Sequence, residues 1–161
     1  MKNPSVFIMG ILFFSLLSCA TPVVKTDLKS LQENPESYKG KKVIVIADIK
    51  SVVETPEPYL NKKIEITGYV KVDGFRWGGD WSFVLHDDNG HEVKCYEREY
   101  RVTSWTMPEM ALKQAEKEKG RVTVVGKFEK RLKIELDWIE YKDRHFDTDF
   151  KPSQILFPSI L

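Results

Sequence analysis

After an apolar start, polar and apolar positions settle into strand and helix periods. Ile64, Ile66, Val70 and Val72 alternate with Glu65, Thr67, Tyr69 and Lys71, which predicts a half-buried strand interrupted at Gly68. Trp81, Phe83 and Leu85 alternate with Ser82, Val84 and His86. Asp87-Asp88-Asn89-Gly90 then predicts a tight turn, because Asn-Gly accepts the positive φ of a hairpin. The return strand carries Val93 and Cys95 on one face, with Lys94 and Tyr96 on the other. Thr106-Met107-Pro108-Glu109 has the form of a capping box, and Gly120 supplies a stop. Between them Met107, Met110, Ala111 and Ala115 form a narrow apolar stripe. Two strands follow: Val122, Val124 and Phe128 face one way with a bend at Gly126, then Leu132, Ile134, Leu136 and Trp138 alternate with Lys133, Glu135 and Asp137.

An internal repeat precedes these elements. Asp27-Leu28-Lys29-Ser30 and Asp48-Ile49-Lys50-Ser51 begin two stretches in which Glu, Pro, Glu, Tyr and two Lys recur in register, ending at Val43 and Ile64. Each reads as a short helical turn stopped near a proline, a tyrosine, a Gly or Asn turn, and a strand. The first strand, Val43 to Ala47, is too short to found its own barrel. It is expected to pair against a barrel edge, the alternative being a flexible stalk with an exposed apolar run.

Three strands, a helix and two more strands make the order of a five-stranded Greek-key barrel of the OB type. Residues from about Tyr59 to Tyr141 resemble bacterial exported OB domains and anticodon-binding OB domains, in the Val-x-Val-x-Gly type of strand and in Trp81-x-Phe83-x-Leu85-x-Asp87-x-x-Gly90. An SH3-like barrel would also offer five short strands, but the long helix before the fourth argues against it. The expected class is mostly β: an OB-type barrel with one helix between its third and fourth strands, preceded by the helix–strand lead-in.

The apolar run Val6 to Leu17 follows Lys2 and is about twelve residues long, the length of a secretory h-region and too short to span a membrane. It closes on Leu16-Leu17-Ser18-Cys19, which resembles the lipobox of bacterial lipoproteins. That resemblance implies cleavage before Cys19 and a diacylglyceryl group on its thiol. The competing reading is an ordinary signal peptide. Ala20 after the cysteine implies, by the sorting rules of enteric bacteria, the outer membrane facing the periplasm. The expected organisation is a signal peptide at 1–18, lipidated Cys and tether at 19–26, duplicated lead-in at 27–58, barrel at 59–141 and C-terminal tail at 142–161. The tail is apolar at Ile155-Leu156-Phe157 and Ile160-Leu161, and either packs on the barrel or docks elsewhere.

Charge narrows the choice of partner. The chain has 25 Lys and Arg against 24 Asp and Glu, and removing the signal with Lys2 leaves a neutral mature part. Such a chain lacks the electrostatic footprint of a general nucleic-acid binder. With Cys19 acylated, Cys95 has no intramolecular partner and reads as a small buried apolar group.

No nucleophile elbow, P-loop or zinc-protease motif is present in the sequence, and no cofactor is expected. His86, Asp87, Asp88 and His91 form a metal-type grouping, for which a polar solvated hairpin is the simpler reading. OB domains commonly bind on the face of strands two and three, between the loops after strands one and four. Here that implies Phe75, Arg76 and Trp77 in the first loop, Lys130 and Arg131 in the second, and Ser82, Val84, His86, Lys94 and Tyr96 between them. The aromatic residues offer stacking surfaces and the cations pair with phosphate or carboxylate, unless Phe75 or Trp77 plugs the barrel end. The expected function is a membrane-anchored, non-catalytic envelope module for a protein or glycan. The alternatives are a single-stranded nucleic-acid binder and a structural spacer of an envelope assembly.

Overall fold

The computed structural model describes residues 21–72, 81–97 and 107–147. Its strands are β1 (Val23–Asp27), β2 (Lys42–Ile46), β3 (Lys63–Lys71), β4 (Trp81–His86), β5 (Glu92–Glu97), β6 (Arg121–Glu129), β7 (Lys133–Tyr141) and β8 (Arg144–Asp147). Its α-helices are α1 (Leu28–Glu33), α2 (Ile49–Glu54) and α3 (Met107–Glu118). Strands β3, β4, β5, β7 and β6 pair in that order, and β6 returns to β3, closing a five-stranded barrel. With α3 between β5 and β6, this is the OB-type topology expected from the element order.

Closure depends on one long strand. The Lys63–Tyr69 part of β3 pairs with β6, and Tyr69 to Lys71 pairs with β4. Gly68 sits at the changeover, where an added Cβ would lie 2.5 Å from Ile49 Cδ1 and 2.7 Å from the His86 carbonyl oxygen. The glycine is therefore required by close approach rather than by backbone conformation. Phe83, Leu85, Val93, Cys95, Val122, Val124, Phe128, Ile134 and Ile139 fill the interior at 0% exposure. Full burial of one such aliphatic or Phe side chain contributes about 1.5–3 kcal/mol.

The repeat folds twice in the same way. Asp27 caps α1 and Asp48 caps α2, each carboxylate accepting from a serine N–H three residues on at 2.8 Å and from its hydroxyl at 2.7 Å. A 3-10 turn follows each helix, Pro35–Tyr38 and Glu57–Tyr59. Gly40 and Asn61 then turn the chain at φ +74° and +60°. The product is a parallel series, β1 on β2 and β2 on β3, so the extra strand does pair against a barrel edge. The two units differ in burial: Ile49 and Val52 of α2 enter the core, whereas α1 buries none of its residues fully.

Four local expectations are corrected. The stretch read as a tether through Thr26 is strand from Val23, because β2 offers it a parallel edge. The tail begins with a strand, β8, whose hairpin with β7 turns through Lys142 and Asp143 at φ 50° and 58°. In α3, Met110 is 55% exposed while Leu112 is buried, so the inner face is Glu109, Ala111, Leu112 and Ala115 rather than the methionine stripe. Glu109 is wholly buried on that face, with Lys113 Nζ 2.8 Å from its carboxylate, and the proposed cap Thr106 lies outside the described residues.

The fourth correction concerns Trp138. The β6–β7 register shifts between Val125 and Gly126, pairing Val125 with Trp138 and Gly126 with Leu136. Asp137 is the extra residue. One inserted residue exchanges the faces of everything beyond it. Ile134 and Leu136 point inward, Trp138 points outward, and Ile139 takes the interior position instead.

Candidate functional site

The β4–β5 hairpin pairs Ser82 with Tyr96, Val84 with Lys94 and His86 with Glu92. Directly opposed residues share a face, and the intervening Phe83, Leu85, Val93 and Cys95 are in the core. All five strand residues singled out from the sequence therefore lie on one outward barrel face. Neighbouring strands widen it. β3 adds Tyr69 beside His86 and Lys71 beside Val84, and β7 adds Lys133 beside Lys94 and Glu135 beside Tyr96.

Tyr96 is the best-anchored group on this face. Its hydroxyl donates to Glu129 Oε2 at 2.5 Å, and Lys133 Nζ lies 5.8 Å from its ring centroid. At the other end the Tyr69 and His86 rings are 5.7 Å apart, and Arg121 approaches Tyr69 at 5.5 Å. The surface is thus aromatic and charged with both signs: Lys71, Lys94 and Lys133 against Glu92, Glu129 and Glu135.

The second loop expected at the site is present beside it. Lys130 and Arg131 are exposed in the β6–β7 turn, where Arg131 and Leu132 take φ 66° and 53°. The Lys94 N–H donates to the Leu132 carbonyl at 3.0 Å, joining this turn to the hairpin face. Phe75, Arg76 and Trp77 lie outside the described residues, as does Cys19. Glu129, Lys133 and Glu135 were missed in the sequence because a parallel β5–β7 contact leaves no local trace. Tyr96 opposite a Lys–Glu strand is the only hint.

Cys95 and the hairpin histidines are held in structural roles. Burial pushes the Cys95 thiol far above its ordinary pKa, so its thiolate is suppressed. His91 Nδ1 sits 2.7 Å from Asp87 Oδ2, and Asp87 also accepts from the Asn89 and His91 backbone N–H groups at 2.8 and 2.9 Å. Desolvation opposes ionisation of Asp87, yet these bonds outweigh it and hold the carboxyl below its usual range. His86 Nδ1 meets the Asp87 carbonyl at 3.1 Å. The histidines therefore order the hairpin turn. Among the described residues no three His, Cys, Asp or Glu side chains converge on a metal-sized site.

Two open clefts lie in the lead-in. One is bordered by Leu28, Gln32, Ile46 and Tyr59, the other by Tyr38, Val43, Asn61 and Lys62. The β4–β5 face is separate from both and combines aromatic and ionic groups. The chain matches no protein-family model and no curated protein.

Proposed function

We propose that this protein is a cell-envelope lipoprotein, anchored through lipid on Cys19, whose barrel binds a protein or glycan partner without transforming it. The observation that carries the reading is the composite face of Ser82, Val84, Lys94 and Tyr96, flanked by Lys130 and Arg131. Tyr96 is held by Glu129 and Lys133, so little side-chain freedom is lost when a ligand covers it. Alternating charge favours a partner with both signs or with many hydroxyls. Glu92, Glu129 and Glu135 on or beside the same surface oppose a polyphosphate backbone, which disfavours the single-stranded nucleic-acid reading.

The test is a photo-crosslinking amino acid in place of Lys94, which is exposed on this face. A discrete protein or carbohydrate adduct in intact cells, lost on Tyr96→Ala, supports the reading. No adduct, or one indifferent to Tyr96→Ala, sinks it. Anchoring is checked separately: Cys19→Ser should move the protein from the membrane to the soluble fraction.

A further inference from the structure

Three parallel strands begin at one end of the barrel. Val23 of β1 pairs with Lys42 of β2, and the Lys42 N–H donates to the Pro22 carbonyl at 3.2 Å. β2 and β3 pair in parallel through Val45 and Ile64, so β3 begins at this end as well. β6 runs back to it, with Lys127 directly opposite Lys63, and turns through Lys130 and Arg131 into β7. The rim so formed is rich in exposed cations: Lys41, Lys42, Lys127, Lys130 and Arg131. Lys42 and Lys127 alternate with Val43 and Phe128, which pack on the core, so both point outward on the face of β2, β3 and β6. The whole chain has 25 Lys and Arg against 24 Asp and Glu, so this concentration of one sign is a product of the fold.

Glu36, Glu57 and Glu129 share the rim without balancing it. Glu36 pairs with Lys39 at 3.5 Å, and the Glu129 carboxylate accepts from Tyr96 while Lys127 lies 3.9 Å from it. Glu57 is exposed in the second 3-10 turn. Lys63 is set apart from the exposed cations by its contact with Asp137 at 2.7 Å. The same end receives the chain. Cys19 precedes Thr21 by two residues, which span at most about 7 Å in any conformation. That is shorter than the Debye length of about 8–10 Å. Lipid on Cys19 would therefore hold Pro22, and with it Lys42, within the field of a charged headgroup layer. Lys127 stands two strand spacings from β2, about 10 Å.

We propose that this basic rim docks on an anionic phospholipid surface, with Lys41, Lys42 and Lys127 as its principal contacts. The proposal rests on the lipid anchor at Cys19. An anchor alone leaves the barrel free to swing on a short tether, and the rim selects which end meets the bilayer. Attraction to an anionic surface contributes about a five-fold factor for each Lys or Arg near it and fades within a Debye length. Lys130 and Arg131 stand where the rim meets the β4–β5 face, so the principal contacts lie on the other side of the rim, on β2 and β6.

The test uses the native lipidated chain, inserted into preformed vesicles of phosphatidylcholine alone or of equal parts phosphatidylcholine and phosphatidylglycerol. Lysines are methylated with formaldehyde and cyanoborohydride, and rates are read by peptide mass spectrometry. Lys71 and Lys119, exposed away from the rim at the ends of β3 and α3, serve as references. Methylation of Lys41, Lys42 and Lys127 should be about five-fold slower on the anionic vesicles than on the neutral ones, with the references unchanged and the difference abolished by high salt. A chain carrying Lys42→Glu and Lys127→Glu should still float with both vesicles, and its Lys41 should react equally fast on the two. Equal rates in the native chain, or a slow Lys41 in the double variant, overturn the proposal and leave the anchor standing. Rim lysines protected in intact cell envelopes but equally reactive on the two vesicles assign the rim to a protein or glycan and also overturn it. A native chain that floats with neither vesicle overturns the anchor, and the proposal with it.

Discussion

The Tyr141 hydroxyl donates to the Glu118 carboxylate, tying the end of α3 to the end of β7. Lys142 Nζ reaches the same carboxylate oxygen at 2.6 Å, and Gln114 donates to its other oxygen at 2.9 Å. One acidic side chain thereby holds the helix to the β7–β8 hairpin. The Tyr141 ring closes the joint against Gly120, where an added Cβ would lie 2.9 Å from it.

This joint has a pH signature. Lys142 first, then Tyr141 and Gln114, depress the Glu118 pKa from the ordinary 4.5 to about 2. A depressed carboxylate contributes stability that is present above its unfolded pKa and is lost as pH falls through the folded one. Thermal stability of the native protein should therefore fall between about pH 4.5 and 2, and Glu118→Gln should make that decline shallower. Equal slopes for both proteins would exclude Glu118 as a contributor.

Two glycines in contrasting environments should respond differently to alanine. At Gly126 an added Cβ would sit 2.2 Å from the Glu135 carbonyl oxygen across the bulge. Gly126→Ala should cost about 1–3 kcal/mol or more, since backbone on both strands must move. At Gly40 nothing lies within 4 Å, and only the φ of +74° resists a side chain. Gly40→Ala should cost about 1 kcal/mol. Urea denaturation at neutral pH ranks the two.

The repeated caps offer a matched pair. Asp48→Ala should cost about 1 kcal/mol of global stability, because α2 places Ile49 and Val52 in the core. Asp27→Ala removes the same bonds from a helix with no fully buried residue. Its effect should be confined to faster hydrogen exchange in α1, with the denaturation midpoint nearly unchanged. Identical midpoint shifts would mean that the two units are equally coupled to the barrel.

Cys95 should be silent in the native state. It is 0% exposed, and desolvation raises its pKa. Iodoacetamide at neutral pH should label it only after unfolding. Cys95→Ser should destabilise by about 1–3 kcal/mol by burying a hydroxyl, while Cys95→Ala should lose only packing.

Much of the architecture was legible locally. Alternation at Ile64 to Val72, the Asp87–Gly90 turn and the helix before Arg121 place every barrel element, and their order implies the OB topology. The helical turns of the repeat, stopped near a proline, and its Gly40 and Asn61 turns were readable for the same reason. Each depends on residues within one or two turns of chain.

What depended on distant chain was misread. The Met110 stripe failed because a twelve-residue helix with few apolar positions does not say which side meets the barrel, and the barrel took Leu112 and Glu109. Trp138 was assigned inward because alternation cannot see a bulge, which exists only when Gly126 meets β7. Tyr96 and Lys94 could be placed on an outer face from their own strand. Their company of Glu129, Lys133 and Glu135 comes from β6 and β7, more than thirty residues on.

The sequence by itself determined the period and turns of the chain, and through them the order of strands and the identity of most core residues, because those follow from short-range sterics and hydrogen bonding. Only the tertiary structure decided which residues from distant strands join a surface. Closing the barrel brings β3 to β6 and β5 to β7, and these long-range pairings, together with one inserted residue, set the charge and shape of both outer faces.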